Sequence, residues 1–169
     1  MADAKLLTHS LVRAAIRISE VAHAGQSGTP YLGHHRRVAE IVGTLDGVTE
    51  VEVAAAILLG VLADTPVHAA ELTSRLVASG AEQAVADAVV GLVSEVTEGT
   101  TSSDKMASAS EPAKRLMLTD RIVQVISGAN PNPAACDLLV DLAGDADPLL
   151  AGWLLHEINK SRNPNRTEG

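Results

Sequence analysis

The sequence predicts an all-α fold, a compact multi-helix bundle, on three observations. Apolar residues recur at three- and four-residue intervals along most of the chain, and Gly, Pro and Asn punctuate the stretches between them. No segment shows the strict apolar and polar alternation of a half-buried strand. At 169 residues the chain suits one domain that buries its core without disulfides or a structural metal. The expected organisation is a single helical domain over residues 1–160 and a flexible tail over 161–169, where SRNPNRTEG has no core-forming pattern.

The first helix starts near Thr8, where Leu11, Ala14, Ala15, Ile18, Val21 and Ala22 share one face. It is expected to end around Gly25, because Gly25, Gly28 and Pro30 disfavour continuation, and a loop then runs through Gly33. Val38, Ile41 and Val42 mark a second helix, interrupted at Asp46 and Gly47. A third helix spans about 50–62 and is apolar around nearly its whole circumference, which makes it the central helix. Further helices are expected over 68–79, 82–96, 112–126, 133–143 and 148–160. The polar GTTSSDKMASAS over 99–110 reads as a loop, either a passive connector or a lid. The chain has no Phe, so closely approaching helices must build the core from Leu, Val, Ile and Ala.

Composition excludes several functions. A formal net charge of −8 provides no broad basic surface, and Tyr31 and Trp153 are the only aromatic residues available to stack on bases, so nucleic acid is not an expected partner. Cys136 has no companion for a disulfide or a zinc site and reads as a small buried hydrophobe in a reducing, cytoplasmic protein. There is no apolar signal core, and no apolar run approaches the roughly 20 residues that span a bilayer, so no membrane association is expected.

Three blocks in order carry a resemblance: AHAGQSGTPYL over 22–32 followed by His34, AAAILLGVLADT over 54–65, and LTDRI over 118–122. Together they resemble the hydrolase domain of Rel/SpoT-type alarmone (ppGpp) pyrophosphohydrolases, a family of HD-domain proteins. The resemblance implies an HD-like helical bundle and assigns His34 and Asp120 to metal-ligand positions. It also places Leu59 and Gly60 where the family carries its diagnostic His and Asp, and Ala63 at the usual catalytic Glu, while Asp64 keeps the following acidic residue. Leu and Gly offer no side-chain donor to a hard divalent ion. No metal is therefore expected, His34 and Asp120 being remnant ligand positions. Mn2+ enters only if other donors replace the missing pair.

The family's basic RKSG-like segment is also shortened here to QSG at 26–28. Arg36 and Arg37 are candidate phosphate contacts in its place, or else a solvated helix face. Leu59, Gly60 and Ala63, with Arg121 beside Asp120, complete the candidate ligand-contacting set. Positions 59, 60, 63 and 64 have the spacing of one helical face, made apolar and less bulky by the replacements. His34, Asp64 and Asp120 are the candidates for a metal-free acid and base set, with His35 the alternate register for the histidine.

The leading expectation is a non-hydrolytic HD-like protein that binds a nucleotide, alarmone or other small molecule in a metal-depleted pocket. The alternatives are residual alarmone hydrolysis, a metal-free acid/base reaction at His34 with Asp64 or Asp120, and a structural homodimer or partner-binding module.

Overall fold

The computed structural model describes residues 8–24, 30–129 and 132–162, and all of the secondary structure among them is helical. The QSG segment at 26–28 and the end of the tail at 163–169 lie outside the described residues.

Helix α1 (Ser10–Ala22) starts where the His9 ring nitrogen accepts from the Leu11 amide, and it buries the predicted Leu11, Ala14, Ala15 and Ile18. Helix α2 (Pro30–Val42) begins at Pro30 rather than after Gly33. Proline suits a first helical turn, since its fixed φ is already helical and its missing N–H would have had no partner there. The expected loop through Gly33 is therefore helix.

Helix α3 (Glu50–Leu58) begins at a capping box. The Glu52 amide donates to Thr49 Oγ1 at 3.4 Å, and the Glu52 carboxylate accepts from the Thr49 amide at 3.0 Å. Its second carboxylate oxygen accepts from Arg115, so this buried acid is fully engaged. Every residue from Glu52 to Leu58 is buried, and α1, α2 and α6 all pack on it, which makes α3 the centre of the bundle.

The expected continuous helix over 50–62 is broken. Leu59 is extended, Gly60 takes a left-handed φ of 83°, and a short turn, α4 (Val61–Asp64), follows. The Gly60 carbonyl accepts from the amides of Ala63 and Asp64 at 3.1 and 2.7 Å, which restarts the helix in a new direction. Residues 59 and 60 therefore do not share a helical face with 63 and 64. Glycine is the residue that adopts this conformation without steric cost.

Helix α5 (Ala69–Ala78) is capped by His68, and α6 (Gln83–Gly99) follows. Within the segment expected to be a loop lies α7 (Ser103–Ser108). It is fastened to α6 on both sides, by Lys105 Nζ on Glu98 at 2.8 Å and by the Ser110 hydroxyl on Glu95 at 2.8 Å. The segment lacks bulky apolar residues because α7 is less than about two turns long and buries none of its side chains fully.

Helix α8 (Glu111–Ile126) starts at the Ser110 cap with Pro112 in its first turn. Helix α9 (Pro133–Ala143), a 3-10 turn (Gly144–Ala146) and α10 (Pro148–Arg162) complete the described chain. Helix α8 packs on α2, α6, α9 and α10. The end of the Met117 side chain from α8 packs directly over Gly99, where a Cβ would require it to shift.

The core is aliphatic, as expected from the absence of Phe, with Leu58, Leu72, Leu116, Leu118, Ile122 and Leu154 among its fully buried side chains. Cys136 is buried too, and burial raises its thiol pKa, which keeps it protonated and inert. No helix among the described residues is long and apolar enough to cross a membrane.

Leu116 is 0% exposed and Leu149 is 85% exposed, so the two leucines report separately on the core and the surface. Leu116→Ala should lower the unfolding free energy by about 2–5 kcal/mol in denaturant titration. Leu149→Ala should change it by less than about 0.5 kcal/mol. Equal losses at the two positions would contradict the packing described.

Candidate functional site

Four parts of the fold meet around one cavity of about 460 Å³. Helix α2 contributes His34 and His35, and the break between α3 and α4 contributes Leu59, Gly60, Ala63 and Asp64. The end of α6 contributes Val96, Thr97 and Thr100, while α8 contributes Asp120, Arg121 and Gln124. Of the residues singled out in the sequence, all but Arg36 and Arg37 thus line one space.

His34 Nε2 and Asp120 Oδ1 lie 2.6 Å apart, within a strong charge-assisted hydrogen bond, and each side chain is 20% exposed. Gln124 Nε2 donates to the other Asp120 oxygen at 2.6 Å. Gln124 stands one helical turn beyond Asp120, so the same helix that carries the carboxylate also orients it. A neutral His34 ring that donates through Nε2 keeps a basic lone pair on Nδ1.

His35 projects differently from its neighbour because successive helical residues are rotated by about a quarter turn or more. It is 6% exposed, its ring stands edge-on to His34 at 5.3 Å, and His23 lies 6.2 Å away. Burial, reinforced by His34 and His23 and opposed by Asp120, lowers the His35 pKa from 6.5 to about 4. His35 is therefore a neutral wall of the cavity near pH 7, whereas His34 is the histidine in contact with Asp120.

Gly60 explains how His35 fits. A Cβ at position 60 would stand 2.6 Å from His35 Cε1 and 2.7 Å from an Asp64 carboxylate oxygen, both inside contact distance. The imidazole and Asp64 close over bare backbone, and the space that a side chain at position 60 would need is already filled.

Arg121 is the cation of this cavity. It makes no ion pair or hydrogen bond among the described residues, and its buried Nε has no partner. Arg36 and Arg37 do not reach the cavity. Arg36 is 75% exposed and pairs with Glu40 at 3.4 Å, while Arg37 lines a separate space of about 570 Å³. Arg36 sits two positions beyond His34, on another face of the helix, whereas Arg37, three positions beyond, shares that second space with His34.

Thr97, Thr100 and Gln124 were not anticipated from the sequence. The four-residue spacing from Asp120 marks Gln124 as its helical neighbour. The two threonines carry no such signal, since only the packing of α6 on α4 and α8 brings them here.

The residues present do not fit the divalent centre that the resemblance implies. Asp120 spends one oxygen on His34 and the other on Gln124, and Leu59 and Gly60 supply no side-chain donor. Among the described residues, no group of three or more His, Cys, Asp or Glu is placed to hold a metal ion.

Comparison with family models, with curated proteins and with solved structures found no match to this chain.

The lowered His35 pKa fixes a pH dependence of stability. Between about 6.5 and about 4 the unfolded chain takes up a proton that the folded chain refuses. Stability from this group is complete above that window and falls as pH drops through it, by about 3 kcal/mol in all. Urea unfolding across the window should show that His35→Gln has a flatter acid limb than the parent protein. Parallel limbs would show that the imidazole is not held neutral.

Proposed function

We propose that this protein is a non-hydrolytic HD-like binding protein that takes a nucleotide, an alarmone or another small anionic metabolite in its front cavity without a metal. The observation that supports this most directly is the pairing of His34 with Asp120 at 2.6 Å beside the unpaired Arg121. The two side chains at remnant ligand positions satisfy one another, while Arg121 makes no ion pair among the described residues. A phosphate or carboxylate on the ligand would supply a counter-charge through the guanidinium fork. Thr97 and Thr100 add hydroxyls, and Leu59, Ala63 and Val96 give an apolar wall for the rest of the molecule.

Calorimetry with guanosine tetraphosphate, guanine and adenine nucleotides, in chelator, tests the reading. We expect saturable one-to-one binding by at least one of them. Loss of a charge-assisted hydrogen bond at Arg121→Gln should then weaken affinity by roughly 10-fold or more. A well-folded protein that binds none of the panel would sink this proposal.

A second reading rests on the same His34 and Asp120 contact. A carboxylate that holds an imidazole by one nitrogen makes the other a positioned general base, so a metal-free proton transfer is chemically available. If such a reaction exists, turnover should fall by roughly 100-fold or more in both His34→Ala and Asp120→Asn. Unchanged turnover in both variants would remove His34 from the chemistry.

A further inference from the structure

Helix α10 is apolar on two sides. Leu150, Ala151, Leu154 and Ile158 are buried against the rest of the bundle. Opposite them, at helical spacing, stand Leu149, Gly152, Trp153, His156 and Lys160, all exposed. Leu149 is 85% exposed, and the chain's single tryptophan, Trp153, is 36% exposed. A surface helix ordinarily turns charged and polar residues to this side.

Gly152 lies between the two large side chains. A glycine inside a helix costs about 1 kcal/mol relative to Ala, and a Cβ at 152 would meet nothing in its own chain. No internal contact therefore calls for a glycine here. Gly91 of α6 is open in the same way, but no large apolar side chain is exposed on that helix. At 152 the missing side chain leaves a notch beside Leu149 and Trp153 that lets another helix approach closely.

The charges name that helix. Asp145 and Asp147 precede α10, and Lys160 stands in its last turn. Asp147 caps the helix by accepting from the Leu149 and Leu150 amides, whereas Asp145 and Lys160 make no hydrogen bond or ion pair among the described residues. An identical helix laid antiparallel, about a two-fold axis between residues 152 and 153, complements this face along its length. Leu149 then meets the partner's His156, Trp153 meets the partner's Gly152, and Lys160 meets the partner's Asp145. A parallel arrangement would set like charges side by side, so the face fits its own copy in one direction only.

We propose that α10 is the interface of a two-fold homodimer in which the α10 helices of two copies pack antiparallel, with the Trp153 ring of each seated in the Gly152 notch of the other. No residue of α10 lines the front cavity, so the pairing leaves that cavity open in both copies and does not depend on the nucleotide reading. One helix pair lies at the small end of specific interfaces, which sets the expected affinity in the micromolar range.

Sedimentation velocity of the full chain from about 1 to about 500 μM, a range that brackets such an interface, tests the proposal. A monomer–dimer equilibrium is expected, and Trp153 emission should move to shorter wavelength as the dimer forms. Gly152→Gln fills the notch with a better helix former, so the monomer should keep its fold while dimerisation weakens by roughly 10-fold or more. Lys160→Glu should weaken it by about 5-fold, and adding Asp145→Lys to that variant should restore it. A chain that stays monomeric throughout would overturn the proposal. So would a dimer that Gly152→Gln leaves unchanged, or a charge reversal that the second substitution does not rescue.

Discussion

The front of this bundle depends on a backbone that carries no side chain at position 60. Gly60 does two things at once. Its left-handed conformation ends α3 and restarts the chain as α4, and its bare Cα leaves room for His35 and Asp64 to close over it. A helix that ran on through 62 would point Leu59 and Asp64 elsewhere. A side chain at 60 would displace a buried imidazole. The cavity and its walls follow from that one position and from the central helix it terminates.

His35 fills the volume beside Gly60, and His34 and Asp120 hydrogen-bond to one another with Gln124 bracing the carboxylate. Both Asp120 carboxylate oxygens have hydrogen-bond partners, which satisfies this acid without an ion. Arg121, by contrast, makes no ion pair or hydrogen bond among the described residues.

Much of the architecture was legible in the sequence because apolar periodicity reports directly on helical faces. The boundaries of α9 agree with expectation, and α5, α8 and α10 differ by a residue or two at their ends. The apolar circumference of residues 50–62 marked the central helix, although the helix itself ends at Leu58. Three features were hidden for identifiable reasons. Pro30 read as a breaker although it also begins helices, and the polar 99–110 stretch concealed a helix too short to need an apolar stripe. The spacing of 59, 60, 63 and 64 implied one helical face, whereas the positive φ of Gly60 breaks the helix. At the site, residues in the named blocks converged, while the contributions of Thr97 and Thr100 depend on tertiary packing that no local pattern encodes.

The central claim is that the front cavity works with its own side chains in place of an ion. Isothermal titration of Mn2+ into chelator-treated protein at neutral pH tests it most directly. The account predicts no saturable site and the same flat response in His34→Ala and Asp120→Asn. One-to-one Mn2+ binding by the parent protein that disappears in both variants would contradict it.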